Sequence, residues 1–301
     1  MPRVSLPARF LRFMLRRNIR GQTRLLNAMA KRFRSLQAVP IPFADRHPLY
    51  VDLRLDGNWC WLKGSPWRTA PDEANEQDLI KRVVRQTDVV YDVGANLGLY
   101  TTLFSKMGCR VVAFEPNTDL LPCLRLTVST LDNVVLVPLA LTDFSGVAPF
   151  YVPNDHTMGS LADYTSTEEL DEWKNQIGLS PAKSQPCQTT TLDNCVDSGL
   201  PLPDFIKCDV EGGELGVFRG AQRTLSGLNA PLVLFEVLEM CAKGFHIDKF
   251  AASEFLASLG YELFNVGAGG RLTSMIPLSQ RVNVLAVPPV RRKRVLKCIG
   301  D

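Results

Sequence analysis

The sequence lacks the features that mark membrane-spanning, disulfide-stabilised and zinc-binding proteins. Its 301 residues contain no apolar run that approaches the ~20 residues a transmembrane helix needs. The chain also has no Cys-x-x-Cys pair, so its eight scattered cysteines favour reduced structural thiols over a disulfide framework or a zinc site. From these absences we expect a cytoplasmic protein.

Acidic residues are absent from the first 40 positions, where ten arginines and lysines lie among apolar residues. Three interpretations of this segment remain open. It is a helical extension packed on the rest of the protein, an amphipathic segment in peripheral contact with an anionic membrane, or a mitochondrial-type transit segment. A secretory signal fits poorly because Arg12, Arg16 and Arg17 interrupt its apolar core.

The central part of the chain has the opposite charge. Residues 291–301 hold five basic residues and one acid, which leaves 19 basic and 30 acidic residues in the stretch 41–290. A net charge of −11 there argues against a nucleic-acid partner, because a nucleic-acid-binding groove should itself be basic. Apolar residues make up 46% and charged residues 22% of the sequence, as is typical of a globular protein.

Four segments are predicted along the chain. They are a basic helical N-terminal extension (1–40), a hairpin and linker (41–75), a main α/β domain (76–290) and a basic C-terminal tail (291–301). The hairpin is predicted around Asp56-Gly57-Asn58, because alternating apolar residues flank this turn signal over 49–55 and 59–63.

The most informative segment is 88–98, in which a β-branched and aromatic run ends at Asp92. Such a run predicts a buried parallel strand. Gly94 and Gly98 follow, and glycine lets the chain turn sharply and lets a ligand approach the backbone because it has no Cβ. Glu115 ends the next apolar run, where an acid can accept hydrogen bonds from both hydroxyls of a ribose. Together these residues predict a site for a nucleoside cofactor.

The kind of nucleoside follows from what the glycine loop lacks. A dinucleotide fingerprint, Gly-x-Gly-x-x-Gly, would need glycine at the positions held by Gly94, Asn96 and Leu99, so two of its three glycines are absent. Asn96 would crowd a diphosphate and the carboxylate of Asp92 would repel it, whereas the ammonium group of an amino acid suits that carboxylate. The pattern resembles motif I of class I methyltransferases that use S-adenosylmethionine.

This resemblance implies roles for individual residues. Asp92, with the loop 94–98, would face the methionine end of the cofactor, and Glu115 would bind its ribose. Asp143, after the third predicted strand, lies where class I enzymes commonly recognise the adenine amino group. A turn-capping role for Asp143 is the alternative, and the two roles are compatible.

A longer resemblance narrows the family. Three further segments follow one another as in the FkbM methyltransferases, which are mostly O-methyltransferases of sugars or natural products: 140–146, 189–193 and 204–221. The matching stretch runs from about residue 88 to about residue 287. It departs from the family pattern at Gly213, where alanine is usual, and we expect this change to matter little. The resemblance implies S-adenosylmethionine as cofactor and a small-molecule or glycan acceptor.

The order of elements indicates the same fold class. Alternating strands and helices predict an α/β protein with a Rossmann-like class I methyltransferase sheet that is mostly parallel. The last two predicted strands, 261–266 and 282–287, are separated by the glycine-rich stretch 267–270 without a clear helix. They are therefore predicted to be an antiparallel closing pair, which a dinucleotide-binding Rossmann domain lacks.

Three acids are candidates for catalysis, because ligands of open α/β sheets bind beyond the carboxyl ends of the strands. Asp209 ends the fourth predicted strand, Glu211 follows it, and Glu236 lies near the end of the fifth. A sugar hydroxyl needs a base that takes its proton as the new bond forms. Asp209 or Glu236 is predicted to be that base, with Glu211 orienting the acceptor. A buried ion pair between Lys207 and Asp209 is the structural alternative.

The polar insertion 150–188 is predicted to contribute the acceptor pocket, because loops on a rigid sheet commonly determine specificity. His156 within it is a second candidate base, since histidine titrates near neutral pH, although a hydrogen-bonding loop histidine is the commoner case. No compact ligand motif demands a metal, and none is predicted.

Two other classes of function remain open. An NAD-type oxidoreductase is disfavoured by Asn96, by Leu99 and by the closing strand pair. A cofactor-binding partner module that has lost catalysis is the second alternative, and the intact acids at 92, 115, 209 and 236 argue against it.

Overall fold

The structure is a computed structural model that describes residues 4–17, 22–43, 47–55, 58, 61, 71–274 and 281–299. In chain order its strands are β1 (Val39–Phe43), β2 (His47–Val51), β3 (Val89–Val93), β4 (Arg110–Phe114), β5 (Val134–Val137), β6 (Ala140–Leu141), β7 (Gly146–Val152), β8 (Lys183–Thr190), β9 (Phe205–Cys208), β10 (Leu232–Leu238), β11 (Glu262–Val266), β12 (Leu272–Ser274) and β13 (Arg281–Val287). The α-helices of the described residues are α1 (Leu6–Arg16), α2 (Gln22–Arg32), α3 (Pro71–Val83), α4 (Leu99–Lys106), α5 (Leu121–Val128), α6 (Asp171–Ile177), α7 (Leu192–Asp197), α8 (Glu214–Arg219), α9 (Gln222–Leu225), α10 (Glu239–Gly244), α11 (Ala251–Ser258) and α12 (Arg292–Val295).

Eight strands form the central sheet, in the order β12-β11-β13-β10-β9-β3-β4-β5. The five neighbouring strands from β10 to β5 run parallel to one another. Strand β13 is inserted between β10 and β11 and is antiparallel to both. The predicted α/β sheet, mostly parallel with an antiparallel closing strand, is therefore confirmed.

The two faces of this sheet bury different apolar side chains. Successive residues of a strand point to opposite faces, and accordingly Val90 of β3 belongs to one buried cluster while Tyr91 and Val93 belong to another. The cluster that contains Val90 also contains Leu11 and Leu15 of α1. One face of the predicted basic helical extension therefore packs on the rest of the protein.

The hairpin lies earlier in the chain than the sequence predicts. Strands β1 and β2 pair antiparallel, and the predicted strand over 49–55 ends at Val51. The Asp-Gly turn at 56–57 and most of the predicted strand over 59–63 lie outside the described residues. Strand β1 contains Pro40 and Pro42, which argue against a strand in sequence, but a two-stranded hairpin tolerates them because each strand has an open edge.

Three strands form a second sheet that is separate from the central sheet. Strand β8 pairs antiparallel with β7 and parallel with β6. The insertion predicted over 150–188 connects β7 to β8 and contains α6 and three 3-10 turns. This arrangement holds the chain around residues 156–161 near the central sheet, where the site lies.

The seven cysteines within the described residues are all free and buried: Cys109, Cys123, Cys187, Cys195, Cys208, Cys241 and Cys298. Their burial is typical of cysteines that act as small apolar side chains. No helix within the described ranges combines the length and apolar character that crossing a membrane requires.

Candidate active site

Two adjoining clefts open beyond the carboxyl ends of strands β3, β4, β9 and β10. The first cleft encloses about 570 Å³ and the second about 1010 Å³, and both volumes include space that is open to solvent. Five residues line both clefts: Gly94, Asn96, Thr157, Asp209 and Glu211. A ligand in one cleft can therefore reach a ligand in the other across the glycine loop.

Gly94 allows the loop after β3 to lie directly against the end of β9. Its φ of 85° is in the left-handed region, and a Cβ at this position would lie 1.9 Å from the backbone oxygen of Asp209. The loop is also fixed to β4, because the N–H groups of Gly94 and Ala95 both donate to the Phe114 carbonyl, at 3.0 and 2.9 Å. The predicted turn at Gly98 is present, with φ 85° at the start of α4.

Glu115 is buried at the end of β4, and two backbone groups fix its carboxylate. The Asn96 N–H donates to Glu115 Oε2 at 2.7 Å, and the Asn117 N–H donates to Oε1 at 2.8 Å. Burial raises the pKa of Glu115 to about 7, although these two hydrogen bonds oppose the shift. The loop and the acid, which the sequence predicts separately, are thus one hydrogen-bonded unit.

The first cleft fits the adenosyl part of S-adenosylmethionine. Each carboxylate oxygen has two lone pairs, so Glu115 keeps acceptor capacity for ribose hydroxyls. The Asn96 side chain donates to the Thr157 carbonyl at 3.0 Å, while its buried Oδ1 has no partner among the described residues. A donor group on a ligand would satisfy that oxygen. Leu141 and Phe150 supply an apolar wall for a base.

Asp92 lies behind the glycine loop and is not among the residues that line either cleft. Its buried carboxylate accepts a hydrogen bond from the Thr101 hydroxyl. Burial raises the pKa of Asp92, and the nearby charge of Lys207 opposes that shift. The position supports a role in holding the loop against α4, and direct contact with the methionine end of the cofactor stays a prediction.

Asp143 is exposed and does not line the first cleft. The preceding strand β6 belongs to the three-stranded sheet, and it carries the chain towards α8. There Thr142 lies so close to Gly220 that a Cβ on that glycine would be 2.0 Å from the Thr142 carbonyl oxygen. The structure therefore does not bring Asp143 to the other predicted cofactor residues. Leu139, Ala140 and Leu141 line the cleft instead.

The three predicted catalytic acids, Asp209, Glu211 and Glu236, all line the second cleft. The Lys207 ammonium lies 2.8 Å from Asp209 Oδ2, so the ion pair considered from the sequence is present. The backbone does not stay extended beyond β9, because Glu211 has a φ of 52°. Even so, Lys207 lines the same cleft as these acids.

Glu211 has a strong tendency to hold a proton. Burial raises its pKa well above the ordinary range, and the carboxylates of Asp209 and Glu236 raise it further. The Cys241 thiol donates to Glu211 Oε2 at 3.3 Å. A protonated Glu211 has an O–H group that can donate to an acceptor substrate.

Sequence reasoning misses a group of side chains from α3 and α4 at the second cleft. Tyr100 lies beneath Lys207, with the ammonium 4.3 Å from the ring centroid. Its hydroxyl oxygen is within hydrogen-bond distance of Glu73 and Glu76. These residues are recognised only from the fold. Glu73 and Glu76 lie in α3, for which the sequence predicts no functional role.

His156 lines the first cleft, and both of its ring nitrogens have neighbours. Nδ1 lies 3.1 Å from the Asn154 carbonyl oxygen, and Nε2 lies 3.5 Å from Asp119 Oδ2. These contacts favour a positioning role over that of a base. Of the insertion predicted to form the acceptor pocket, only Thr157 lines the second cleft, whereas five of its residues line the first: Phe150, His156, Thr157, Gly159 and Leu161.

Within the described part of the chain, no group of three or more histidine, cysteine, aspartate or glutamate side chains is arranged to hold a metal ion.

Comparison with known proteins places the chain in a family. The family model described as the methyltransferase FkbM domain matches residues 92–263, which is more than half of the chain. The chain belongs to the FkbM methyltransferase family. The match begins at Asp92 and includes the glycine loop, Glu115, Asp209 and Glu236. It confirms the predicted family and fold class and supports S-adenosylmethionine as the cofactor, and it gives no support to an NAD-type oxidoreductase.

The names of two relatives of this FkbM chain refer to methylation of a sugar or of an oxygen atom. Hexuronic acid methyltransferase AglP of Haloferax volcanii is 32% identical over 173 residues, covering 56% of this chain and 64% of that protein. The 2-O-methyltransferase NoeI of Sinorhizobium fredii is 24% identical over 157 residues, covering 50% and 64%. The chain thus spans slightly less than two thirds of the length of these relatives. A crystal structure of methyltransferase FkbM from Methylobacillus flagellatus aligns with a TM-score of 0.43 and 16% identity, covering 88% and 59% of the two chains.

Proposed function

We propose that the protein transfers the methyl group of S-adenosylmethionine to a hydroxyl group of a sugar, carried by a glycan or by a natural product. The observation that carries the proposal is the pair of clefts joined at Gly94 and Asn96. The first cleft offers Glu115 for a ribose, and the second is lined by carboxyl groups suited to a hydroxyl. A cofactor in the first cleft would direct its methyl group towards an acceptor in the second.

The relatives support an oxygen acceptor. One is named for methylation of a hexuronic acid and the other for 2-O-methylation. The acids of the second cleft support the same conclusion, because carboxyl groups can accept hydrogen bonds from sugar hydroxyls and take up a proton.

S-adenosylmethionine supplies a methyl group that its sulfonium already activates, so the protein's main task is placement. The acceptor oxygen must lie about 3 Å from the methyl carbon and in line with the bond that breaks. Lys207 holds the Asp209 carboxylate at 2.8 Å and favours its ionised form. In this proposal Asp209 takes the hydroxyl proton, while Glu211 orients the acceptor. Glu236 is the second candidate for the base.

A calorimetric titration tests the cofactor site. Wild-type protein should bind S-adenosylmethionine and S-adenosylhomocysteine but not NAD. Glu115→Gln should weaken that binding by about 10- to 100-fold, because charge-assisted hydrogen bonds are worth about 1.5–3 kcal/mol. Asp143→Asn is the matched control, since this exposed acid lies outside the cleft, and it should bind the cofactor like wild type.

Binding of NAD, or binding that Glu115→Gln leaves unchanged, would contradict the proposed cofactor site. A large effect of Asp143→Asn would instead restore the adenine role that the sequence predicts for that residue.

The base is tested by turnover once an acceptor has been found by screening sugars for S-adenosylhomocysteine release. Asp209→Asn should lower kcat by about 100-fold or more while cofactor affinity stays within a few-fold, because general-base catalysis contributes about 10²–10⁴. Glu236→Gln is the comparison. Near-normal turnover of Asp209→Asn, together with a large loss of kcat in Glu236→Gln, would show that Glu236 is the base.

The protein is also proposed to act without a nucleic-acid partner. Among the residues that the structure describes, the second cleft presents Asp209, Glu211, Glu236 and Glu73 around Lys207, which is already paired with Asp209. Such a lining opposes the phosphates of a nucleic acid, whose binding depends on basic side chains. Filter binding of labelled RNA and DNA at low salt should show no retention, and salt-sensitive micromolar binding would refute this part of the proposal.

A cytoplasmic location at an anionic membrane surface is proposed for the basic extension. The face of α1 opposite Leu11 and Leu15 exposes Leu6, Phe10 and Phe13, with relative exposures of 76%, 50% and 54%. Arginines flank these residues, and the first 40 positions hold no acid. An apolar stripe bordered by arginines fits the interface of a negatively charged bilayer.

A further inference from the structure

A buried group of ionisable side chains lies beside the second cleft, and of its members only Lys207 has a part in the proposed reaction so far. It consists of Glu76 on α3, Tyr100 on α4 and Lys207 on β9, and Glu73 connects it to the cleft. Glu76 is 6% exposed and Lys207 is 3% exposed. Ionisable groups this deeply buried need partners, and their contacts show which ones they have.

Tyr100 connects the two glutamates. Its hydroxyl oxygen lies 2.6 Å from Glu73 Oε2 and in close contact with Glu76 Oε2. A phenol has one hydrogen to donate, so both contacts are full hydrogen bonds only if one of the two carboxyls carries a proton and donates it to Tyr100. Burial raises the pKa of Glu76 to about 8, which makes Glu76 the protonated partner.

Lys207 links Asp209 to the group around Glu76, because its ammonium also lies 4.3 Å from the centroid of the Tyr100 ring, whose hydroxyl contacts Glu76. Its ammonium bonds to Asp209 Oδ2 at 2.8 Å. Burial alone would lower the pKa of Lys207, but the charges of Asp209, Glu76 and Asp92 raise it, so the side chain stays a cation. Charges in this group also shift the pKa of Glu76: the Lys207 ammonium lowers it and the Asp209 carboxylate raises it. Asp209 and Glu76 therefore compete for one ammonium group.

We propose that Glu76 is a charge-compensating residue that holds a proton while Asp209 is ionised and releases it when Asp209 takes the proton of the acceptor hydroxyl. This inference rests on the proposed function, in which Asp209 is the base. It makes Glu76 and Tyr100 positioning residues, since they act on the reaction through Lys207 and Asp209.

The step balances in atoms and charge. The acceptor oxygen gains the methyl group and loses its proton to Asp209, which becomes neutral. Glu76 then gives its proton to Tyr100, whose own hydroxyl proton passes to Glu73 and from there to solvent in the cleft. Glu76 is left as a carboxylate and replaces Asp209 as the counter-ion of Lys207. The buried ammonium faces a carboxylate before and after the reaction.

A titration of the resting protein tests this without any acceptor. Carboxyl ¹³C NMR of glutamate-labelled protein, with Glu76→Gln for assignment, should show Glu76 titrating near pH 8 in wild type. In Asp209→Asn, which imitates the protonated aspartate, the pKa of Glu76 should fall by about one unit or more, because the competing charge is gone. Asp119→Asn, a change beside His156 in the first cleft, should leave the titration unchanged.

Two results would overturn the proposal: a wild-type Glu76 that titrates near its ordinary value, or an Asp209→Asn titration identical to wild type. If Asp209→Asn does not fold, Lys207→Met gives the opposite test, because loss of the ammonium should raise the pKa of Glu76. Failure of these titrations with cofactor binding intact would refute the charge compensation alone. Failure of cofactor binding would refute the proposed function.

Turnover provides a second readout. Tyr100→Phe removes the path for the proton and Glu76→Gln removes the proton store, so each should lower kcat by about tenfold at pH 8 and leave KM for the acceptor unchanged. In Glu76→Gln, the change of kcat with pH that arises from the ionisation of Glu76 near pH 8 should also disappear. Rates that fall equally at all pH values would show a merely structural role for the two residues.

Discussion

At the scale of single residues, Gly94 occupies a position that no larger side chain can share with Asp209. We predict that Gly94→Ala lowers the free energy of unfolding by about 2–5 kcal/mol, the sum of a left-handed backbone cost and of overpacking against a rigid carbonyl. The loop and the end of β9 would also move apart, so cofactor binding should weaken. Urea denaturation and calorimetry measure the two effects.

The control for this variant is Gly260→Ala. Gly260 has nearly the same φ, 87° against 85°, but a Cβ there meets no atom within 4 Å. It should cost only the backbone strain of about 1–2 kcal/mol and leave cofactor binding unchanged. If the two variants lose equal stability, the contact between Gly94 and Asp209 is less rigid than the structure shows.

The raised pKa of Glu76 also determines how the free energy of unfolding should depend on pH. Its pKa is about 8 in the folded protein and 4.5 ordinarily, so the folded state holds more protons than the unfolded state between these values. Stability should therefore fall as the pH rises through that window, because the unfolded state gains by ionising there. Glu76→Gln should remove part of the slope and narrow the difference between urea midpoints at pH 5 and pH 8.

Other buried acids, including Glu115, contribute slopes of the same sign, so the variant should flatten the curve without abolishing it. Glu172→Gln, an exposed change on α6, should reproduce the wild-type slope. A slope that Glu76→Gln leaves untouched would mean that Glu76 is ionised in the folded protein.

At the scale of elements, local patterns carry enough information where an element is buried on both sides. The runs that end at Asp92 and Glu115 are predicted as strands, and β3 and β4 end at the residue beside each acid. Helix α4 begins at Leu99, directly after the turn that Gly98 predicts. The ion pair of Lys207 with Asp209 was also predictable, because alternate strand residues share a face.

Elements whose partners are distant in sequence could not be placed in this way. Strand β1 could not be predicted, because its two prolines argue against a strand. The resemblance implies a place beside the adenine for Asp143, which follows the third predicted strand, now β5. Between β5 and Asp143, however, β6 joins the three-stranded sheet, and Asp143 does not line the first cleft. Glu73 and Glu76 reach the site only because α3 packs beside the cleft, and no local signal in residues 71–83 distinguishes them from ordinary helix-surface acids.

At the scale of the whole molecule, charge is divided between the basic ends and an acidic centre. The extension uses both of its faces, since Leu11 and Leu15 are buried in the cluster behind β3 while Phe10 and Phe13 are exposed. This packing is the one expected of a helical extension that lies on the rest of the protein. It also fixes the orientation in which the exposed face would meet a membrane.

We predict that the protein sediments with vesicles containing phosphatidylserine and not with neutral phosphatidylcholine vesicles. The double change Phe10→Ala and Phe13→Ala should weaken binding by about 30-fold or more, because partial burial of each ring in the bilayer contributes about 1 kcal/mol or more. Added salt should weaken binding as well, because it screens the arginines from the lipid charge.

Leu228→Ala is the matched control for the phenylalanine changes. Leu228 is 94% exposed but lies outside the basic extension, so its loss should leave vesicle binding unchanged if the α1 face is the contact. Equal weakening by Leu228→Ala would point to non-specific apolar adsorption, and equal sedimentation with neutral vesicles would remove the electrostatic part of the proposal. A protein whose binding depends on Phe10, Phe13 and salt together would sit on the bilayer through α1, as an acceptor carried at the membrane surface requires.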